Sequence, residues 1–256
     1  FSDDIRNALR GTLDCKTGGF IHGVAGNNEG VKFGIAGGVE HPQVAHSEAA
    51  WCAEPTQHMS YVTCHDDHNL RDRLEVLSPE ASEEELLKMD KLAQTAVFTS
   101  QGLPFIFCGE ELYRTKQHVD NSYNQPDEIN AIDWGFKQRY NNLYNYYKGL
   151  ISLRKAHPAF CLAKAELVRK HLEFLPTECA SAVGFRLKEL EGLDSAREIV
   201  VLLNGAREAT PFTLPAGEYR IVANGEEVNP NGLGTLTVGD APVAVPPIEA
   251  LILLAL

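Results

Sequence analysis

Positive charge is scarce in this sequence. Lysine and arginine together number 23 against 35 aspartate and glutamate residues, so the formal net charge at pH 7 is −12 over 256 residues. An excess of negative charge repels phosphate backbones and anionic lipid surfaces, which argues against nucleic acid and against a membrane as partners. A neutral ligand is compatible with this charge.

Long apolar runs and metal-type cysteine spacings are also missing. No stretch of about 18 apolar residues occurs, so the sequence predicts no transmembrane helix. The six cysteines form no CxxC pair, so neither a zinc site nor a redox motif is indicated, and we expect reduced thiols. Cys64 and Cys108 lie inside apolar runs, which predicts that both are buried.

The start of the chain has neither an initiator methionine nor a signal peptide. It opens FSDDIRNALRG, a pattern typical of a strand end that leads into a helix. We therefore expect the sequence to be a piece of a longer protein, and the compartment stays open.

Four consecutive ionisable residues stand in the stretch SYVTCHDDHNLRDRL, residues 60–74. Tyr61–Cys64 predicts a short buried strand, and leucines at 70, 74 and 77 predict a helix after it. The motif HDDH lies where this strand ends. In parallel α/β folds the carboxyl ends of strands are where ligands bind, so the motif is a candidate site.

Three interpretations of HDDH stay open at this point. In the first it is a solvated turn in which Asp66, Asp67 or Asn69 caps the helix. In the second His65 and Asp66 bind and polarise a substrate in a cleft. In the third His65, Asp66 and His68 ligate zinc or manganese, as in His-Asp phosphohydrolases. Those enzymes are all-helical, whereas this motif ends a β-like run, which counts against the metal interpretation.

A second strand and a second polar tip follow. Ser82 and Glu85 form a capping box before a helix that reaches about Thr99, and its apolar stripe predicts a core-packing face. The continuous run Leu103–Cys108 predicts a strand buried on both faces of a parallel sheet, and it ends at Gly109-Glu110-Glu111. Strand, helix and strand make a βαβ unit, so we expect both polar tips at one edge of the sheet, in a shared cleft.

The segment 112–134, LYRTKQHVDNSYNQPDEINAIDW, is long, polar and aromatic. Aromatic rings stack on the apolar face of a sugar, and amides and carboxylates bind its hydroxyls, so this composition favours sugar recognition. The alternative is a surface loop ordered by its own hydrogen bonds.

The character of the sequence changes near Pro158. A helix is predicted over 140–157, and Pro158 ends it. Beyond that point short apolar and β-branched runs alternate with turn signals such as Asn204-Gly205. We expect an α/β domain over 1–158 and a small antiparallel β-sandwich over 159–256, with strands at 182–187, 198–203, 212–214, 219–222, 236–238 and 251–254.

Three stretches together resemble the last part of a type I pullulanase, a debranching member of the alpha-amylase superfamily. They are YVTCHDDHNLRDRL, TSQGLPFIFCGEELYRTK and NSYNQPDEINAIDW. The helix FKQRYNNLYNYYKGLISLRKAHPAF is similar to the final barrel helix of that family, and FSDDIRNALRG is similar to the segment after its sixth strand. The resemblance covers essentially the whole chain.

This resemblance implies the C-terminal part of a (β/α)8 TIM barrel, from about strand 6 to helix 8, followed by the β-sandwich. The seventh barrel strand would be Tyr61–Cys64 and the eighth Leu103–Cys108. Such barrels need roughly 250 residues, and 158 residues precede the expected β domain. The N-terminal half of the barrel is therefore expected as a missing partner.

The resemblance also implies roles for side chains. Retaining glycoside hydrolysis needs a nucleophilic carboxylate and an acid/base carboxylate, and in this family both would lie upstream of Phe1. Asp66 would stabilise the transition state, and His65 would bind the same sugar ring. Many relatives have HDN where this chain has HDD, but the role stays with Asp66.

The remaining implied site residues lie in and before the polar loop. Asp127 would contact the neighbouring sugar, while Asn121 and Tyr123 would shape the loop around it. Glu110 and Glu111 would be structural residues that brace Arg114. No cofactor is implied; calcium is common in the superfamily, but no ligand set is indicated here.

The function implied is part of a glycoside hydrolase that cleaves α-1,6 branch linkages in pullulan, glycogen or starch dextrins. The chain would contribute to the α-glucan cleft and be inactive alone, since two catalytic carboxylates are expected elsewhere. Two alternatives stay open: a non-catalytic α-glucan-binding module, and another superfamily member such as an isoamylase or a branching enzyme. The loop NSYNQPDEIN favours pullulanase among the enzymes.

Overall fold

The computed structural model describes residues 1–45 and 50–256. In these ranges the helices are α1 (Asp3–Arg10), α2 (Asn28–Ile35), α3 (Leu70–Leu77), α4 (Glu83–Thr99), α5 (Asp127–Asn130), α6 (Phe136–Arg139), α7 (Asn141–Ala156) and α8 (Ala165–His171). The strands are β1 (Met59–Ser60), β2 (Leu103–Pro104), β3 (Leu172–Leu175), β4 (Ala182–Leu187), β5 (Ile199–Asn204), β6 (Thr210–Phe212), β7 (Gly217–Ala223), β8 (Gly234–Val238), β9 (Val243–Val245) and β10 (Glu249–Ala255).

The expected βαβ unit is present around the HDDH motif. Strands β1 and β2 pair in parallel, with Met59 opposite Leu103, and helices α3 and α4 form the connection between them. Helix α4 begins where the capping box predicts, because the Ser82 side chain accepts a hydrogen bond from the backbone N–H of Glu85 at 3.2 Å. Its apolar side packs against α7 and the large antiparallel sheet.

The strand bounds expected from the apolar runs are wrong. The ladder covers Met59–Ser60 instead of Tyr61–Cys64, and on the other strand it stops at Pro104 instead of Cys108. The last bond of the ladder runs from the N–H of Phe105 to the carbonyl of Ser60 at 2.9 Å. These residues form a two-stranded parallel sheet, and the wider barrel implied by the resemblance stays a prediction.

Antiparallel sheets form the second half of the chain, as predicted. Six strands follow the order β3-β4-β5-β10-β7-β8, and β6 pairs with β9 in a separate two-stranded sheet. Strand β4 has the predicted bounds, whereas β3, β9 and helix α8 were not predicted. Strand β5, IVVLLN, is buried along its whole length, since helices cover one face and the small sheet covers the other.

One hydrophobic cluster joins the helices to the six-stranded sheet. It includes Ile5 of α1, Met89 of α4, Leu150 of α7 and Ile252 of β10, each at most 1% exposed. A second cluster lies between the two antiparallel sheets, around Phe212. Because α1 belongs to the main cluster, its position is set by core packing as well as by its polar contacts.

All six cysteines are free thiols. Cys64 is buried as predicted, but the prediction is wrong for Cys108, which is exposed because it lies in the turn after the end of β2. No helix within the described ranges combines the length and the apolar character that crossing a membrane requires.

Candidate functional site

The HDDH motif forms an exposed turn between β1 and α3. His65 and Asp66 expose 78% and 61% of their side chains, and Nδ1 of His65 lies 3.1 Å from Oδ1 of Asp66. Asp67 has a φ of 59°, in the left-handed region that aspartate tolerates better than most residues. The helix cap is Asn69, whose Oδ1 accepts a hydrogen bond from the N–H of Asp72 at 2.9 Å. Capping therefore does not occupy Asp66.

Asn69→Ala is expected to lower the free energy of unfolding by about 1–2 kcal/mol, because it removes this cap and a second bond. That second bond runs from Nδ2 of Asn69 to the carbonyl of Arg114 at 2.8 Å. Ser2 is a matched control, since it holds the N-cap position of α1 without a capping hydrogen bond. Urea denaturation of Asn69→Ala and Ser2→Ala checks the difference, and equal free energies for the two variants would contradict it.

A buried arginine contacts the HDDH turn and stabilises its backbone. Arg10, at the end of α1, is fully buried and donates from Nη1 to the carbonyl of His68 at 3.0 Å. Its Nη2 lies 3.8 Å from Oδ2 of Asp67. Burial, together with Arg73 and Arg6, lowers the pKa of Arg10 to about 10, so it stays cationic at neutral pH. The positive charge compensates Asp67 and fixes the backbone of the turn.

A pocket of about 520 Å³ opens beside the turn. His65, Asp66 and Asn121 line it, so the structure brings together three of the predicted site residues. The rest of its wall is formed by Phe1, Asp3, Arg6, Leu13, Tyr61, Cys64 and Asp67. Apart from Asp67, which belongs to HDDH, none of these was predicted as a site residue. The wall carries more carboxylates than cations, which suits a neutral polyhydroxylated ligand better than an anion.

Hydrogen bonds connect the polar loop that carries Asn121 to helix α3 and to His68 just before it. Asp72 accepts from the N–H of Lys116 at 2.7 Å, Nε2 of His118 lies 2.7 Å from Oε2 of Glu75, and His68 contacts the carbonyl of His118 at 3.2 Å. The loop needs such support because Tyr113, Gln117, His118 and Asn121 all have positive φ values between 53° and 59°. Helix α3 thus holds both the HDDH turn and this loop.

Two predicted residues of this loop stand apart from the pocket lining. Tyr123 is 77% exposed, in a short turn after Asn121. Asp127 is exposed in the first turn of α5. Neither residue lines the 520 Å³ pocket, so a ligand that contacts Tyr123 or Asp127 must extend beyond this pocket.

Glu110 and Glu111 do not brace Arg114 in the described chain, and that prediction is wrong. Glu110 is buried and accepts from the N–H of Phe107 at 2.9 Å, and Glu111 accepts from the N–H of Gly109 at 3.1 Å. Arg114 donates instead to the carbonyls of Cys108, at 3.0 Å, and Asn130. The carboxylates satisfy N–H groups of their own turn, and neither lines the 520 Å³ pocket beside HDDH, so the cleft shared by the two polar tips stays a prediction.

The metal interpretation finds no support in the geometry of HDDH. Among the described residues, the one group of three acidic or imidazole ligand atoms within 4.8 Å is Asp72, Glu75 and His118. Those atoms already bind Lys116, Arg71 and one another. His65, Asp66 and His68 do not converge, because His68 points to the polar loop.

Comparison with known proteins gives a consistent result. The family described as "Pullulanase, all-beta domain" matches residues 168–227. The chain is 33% identical to the pullulanase of Bacillus subtilis (strain 168) over 255 aligned residues, which cover 92% of this chain and 34% of that protein. It is 29% identical to the glycogen debranching enzyme of Pectobacterium atrosepticum over 149 residues, 55% of this chain and 22% of that enzyme.

The fold agrees with the sequence comparison. The structure of type I pullulanase from Bacillus subtilis complexed with maltose superposes with a TM-score of 0.91 at 31% identity, covering 100% of this chain and 35% of that one. The chain therefore spans about a third of the length of these pullulanases, and its relatives are debranching glycoside hydrolases.

Proposed function

Because the chain is related over nearly its whole length to the type I pullulanases, we propose that it forms one side of an α-glucan-binding cleft in a debranching glycoside hydrolase. The linkage we propose for cleavage is the α-1,6 branch of pullulan, glycogen or starch dextrins. The observation that carries the proposal is the pocket in which exposed His65 and Asp66 meet Asn121. Maltose, bound in the Bacillus subtilis structure, belongs to the same class of ligand.

Asp66 is the proposed transition-state stabiliser. Its exposed carboxylate can accept hydrogen bonds from two hydroxyls of one sugar ring, and such bonds strengthen as the ring distorts toward an oxocarbenium-like geometry. His65 lies beside it and binds the same ring. Arg10 and the Asn69 cap hold the backbone of this turn, which fixes where the two side chains enter the pocket.

Asn121, Tyr123 and Asp127 are proposed to contact the adjoining sugar. The anchoring of their loop to α3 supports this, since a rigid loop recognises a flexible glucan at lower entropic cost. The exposed ring of Tyr123 suits stacking on the apolar face of a pyranose. Glu110, Glu111 and Arg114 are proposed to be structural, through the backbone groups that they bind.

The retaining mechanism needs two further carboxylates, a nucleophilic aspartate and an acid/base glutamate. We propose that they come from outside these 256 residues, together with the first part of a (β/α)8 barrel. On this proposal residues 1–158 complete that barrel, residues 159–256 form the C-terminal β-sandwich domain, and the chain alone binds glucan without cleaving pullulan.

Isothermal titration with maltotriose tests the proposal. The unmodified chain is expected to bind, and Asp66→Asn to bind at least tenfold more weakly, since one hydrogen bond to a charged group contributes about 1.5–3 kcal/mol. Asp240→Asn is the control, because Asp240 is exposed between β8 and β9 and away from the pocket. No binding by the unmodified chain, or equal binding by both variants, would contradict the proposal, and pullulan cleavage by the chain would contradict its inactivity alone.

A further inference from the structure

Helix α1 contributes a polar group to the same pocket. Asp3, Arg6 and Tyr61 all line it, together with His65 and Asp66. Asp3 exposes 66% of its side chain, whereas Arg6 exposes 7% and Tyr61 is 2% exposed. An exposed carboxylate thus lies above two buried polar side chains.

The two buried side chains fix this carboxylate. Oδ1 of Asp3 is 2.8 Å from Nη1 of Arg6 and accepts a hydrogen bond from the Tyr61 hydroxyl at 3.0 Å. Nη1 of Arg6 also donates to the Tyr61 hydroxyl at 2.6 Å, which closes a triangle. Burial raises the pKa of Tyr61 to about 12, so its hydroxyl keeps its proton and donates at neutral pH.

Helix stability does not account for this arrangement. An exposed ion pair contributes at most about 1 kcal/mol, whereas burying a guanidinium costs several. Asp4 already gives the first turn of α1 a negative charge that favours the helix dipole. The buried Arg6 and Tyr61 fix the position of the Asp3 carboxylate, and they hold it at the pocket.

The spacing of the pocket carboxylates indicates what they bind. Among the described residues, Asp3, Asp66 and Asp67 do not form a group within 4.8 Å, so they are too dispersed to share one metal ion. Separate carboxylates match the separate hydroxyls of a sugar chain, each of which donates a hydrogen bond.

We propose that Asp3 is a second carbohydrate-binding carboxylate of this pocket, with Arg6 and Tyr61 as its positioning residues. It accepts hydrogen bonds from hydroxyls of an α-glucan whose other contacts are at His65 and Asp66. The inference rests on the proposed function, because it assumes that this pocket binds glucan.

Isothermal titration of the full chain with maltotriose, alongside thermal melts, tests the proposal. Asp3→Asn keeps the size of the side chain and is expected to weaken binding about tenfold. Asp4→Asn makes the same charge change in the same helical turn outside the pocket lining, and is expected to stay within twofold. Tyr61→Phe keeps the ring packing against Phe1 but removes one anchor, and is expected to weaken binding about threefold.

The outcomes separate this inference from the proposed function. If Asp66→Asn weakens binding but Asp3→Asn and Asp4→Asn are equal, the role of Asp3 is wrong and the glucan pocket stands. If the unmodified chain does not bind maltotriose, both are wrong. A loss of affinity in Asp3→Asn at an unchanged melting temperature supports a binding role, and Tyr61→Phe supplies an independent answer if Asp3→Asn fails to fold.

Discussion

Asparagine in place of Asp90 is expected to raise the free energy of unfolding by roughly 2 kcal/mol at pH 8 and to lower it by roughly 2 kcal/mol at pH 4. Asp90 lies on α4, is 1% exposed, and accepts a hydrogen bond at Oδ1 from the Tyr147 hydroxyl at 2.7 Å. Burial raises the pKa of Asp90 to about 7, because the interior disfavours the charged carboxylate more than Tyr147 and Lys91 stabilise it.

The direction of the pH effect follows from where the proton is held. An unfolded aspartate titrates near about pH 3.9, so between about pH 4 and pH 7 the folded chain keeps a proton that the unfolded chain has lost. Stability therefore falls as the pH rises through this window, by about 4 kcal/mol in total at about 1.4 kcal/mol per unit. Asparagine removes the charge but leaves a buried NH2 group, so about half of that amount is recovered.

Urea denaturation at pH 4, 6 and 8 measures this effect. Tyr147→Phe is the matched comparison: it removes the hydroxyl that donates to Asp90 and is expected to lower stability more at pH 8 than at pH 4. Burial raises the pKa of Glu110 from 4.5 to about 8, so a second fall in stability, between about pH 4.5 and pH 8, persists in both variants. If the free energies of unfolding of Asp90→Asn and of the unmodified chain differed by the same amount at every pH, the raised pKa of Asp90 would be contradicted.

Elements whose signals are local were predictable from the sequence. The capping box at Ser82 and the 3.6-residue repeat of α7 depend on residues a few positions apart, and both helices begin and end near their predicted bounds. Strand β4 is bounded by turn signals and has the predicted limits. Strand β9 was missed because its three residues, Val243–Val245, acquire strand character only by pairing with β6.

The pocket was predictable only in part, because half of its wall comes from distant segments. HDDH is visible as a cluster at the end of an apolar run, but nothing in α1 indicates that Asp3 meets Tyr61, 58 residues further along the chain. The predicted brace at Arg114 failed for a different reason: the Glu110 carboxylate accepts from the N–H of Phe107, within its own turn, at 2.9 Å. Proximity in the sequence suggested Arg114 as the partner of Glu110, whereas a backbone N–H of the same turn already binds that carboxylate.

Gly34→Val is expected to lower the free energy of unfolding by about 3 kcal/mol. Helices α1 and α2 cross at glycine: a Cβ on Gly34 would lie 2.4 Å from Cβ of Ile5, and one on Gly30 would lie 2.7 Å from Cβ of Ala8. Replacing glycine in a helix gains at most about 1 kcal/mol of propensity, and less for a β-branched residue. The overlap with fully buried Ile5 outweighs that gain, since neither helix can move without disturbing the main core.

The same substitution is expected to weaken maltotriose binding although it lies outside the pocket. Helix α1 carries Asp3 and Arg6 into the pocket wall and Arg10 under the HDDH turn, so a shift of α1 displaces all three. Gly239→Ala is the control, since a Cβ there meets no atom within 4 Å, and its stability is expected to change by less than about 0.5 kcal/mol. Urea denaturation and titration calorimetry on both variants measure the two effects. Because one helix links the core to the pocket, a Gly34→Val variant that loses stability but binds maltotriose normally would show that the position of α1 does not determine the site.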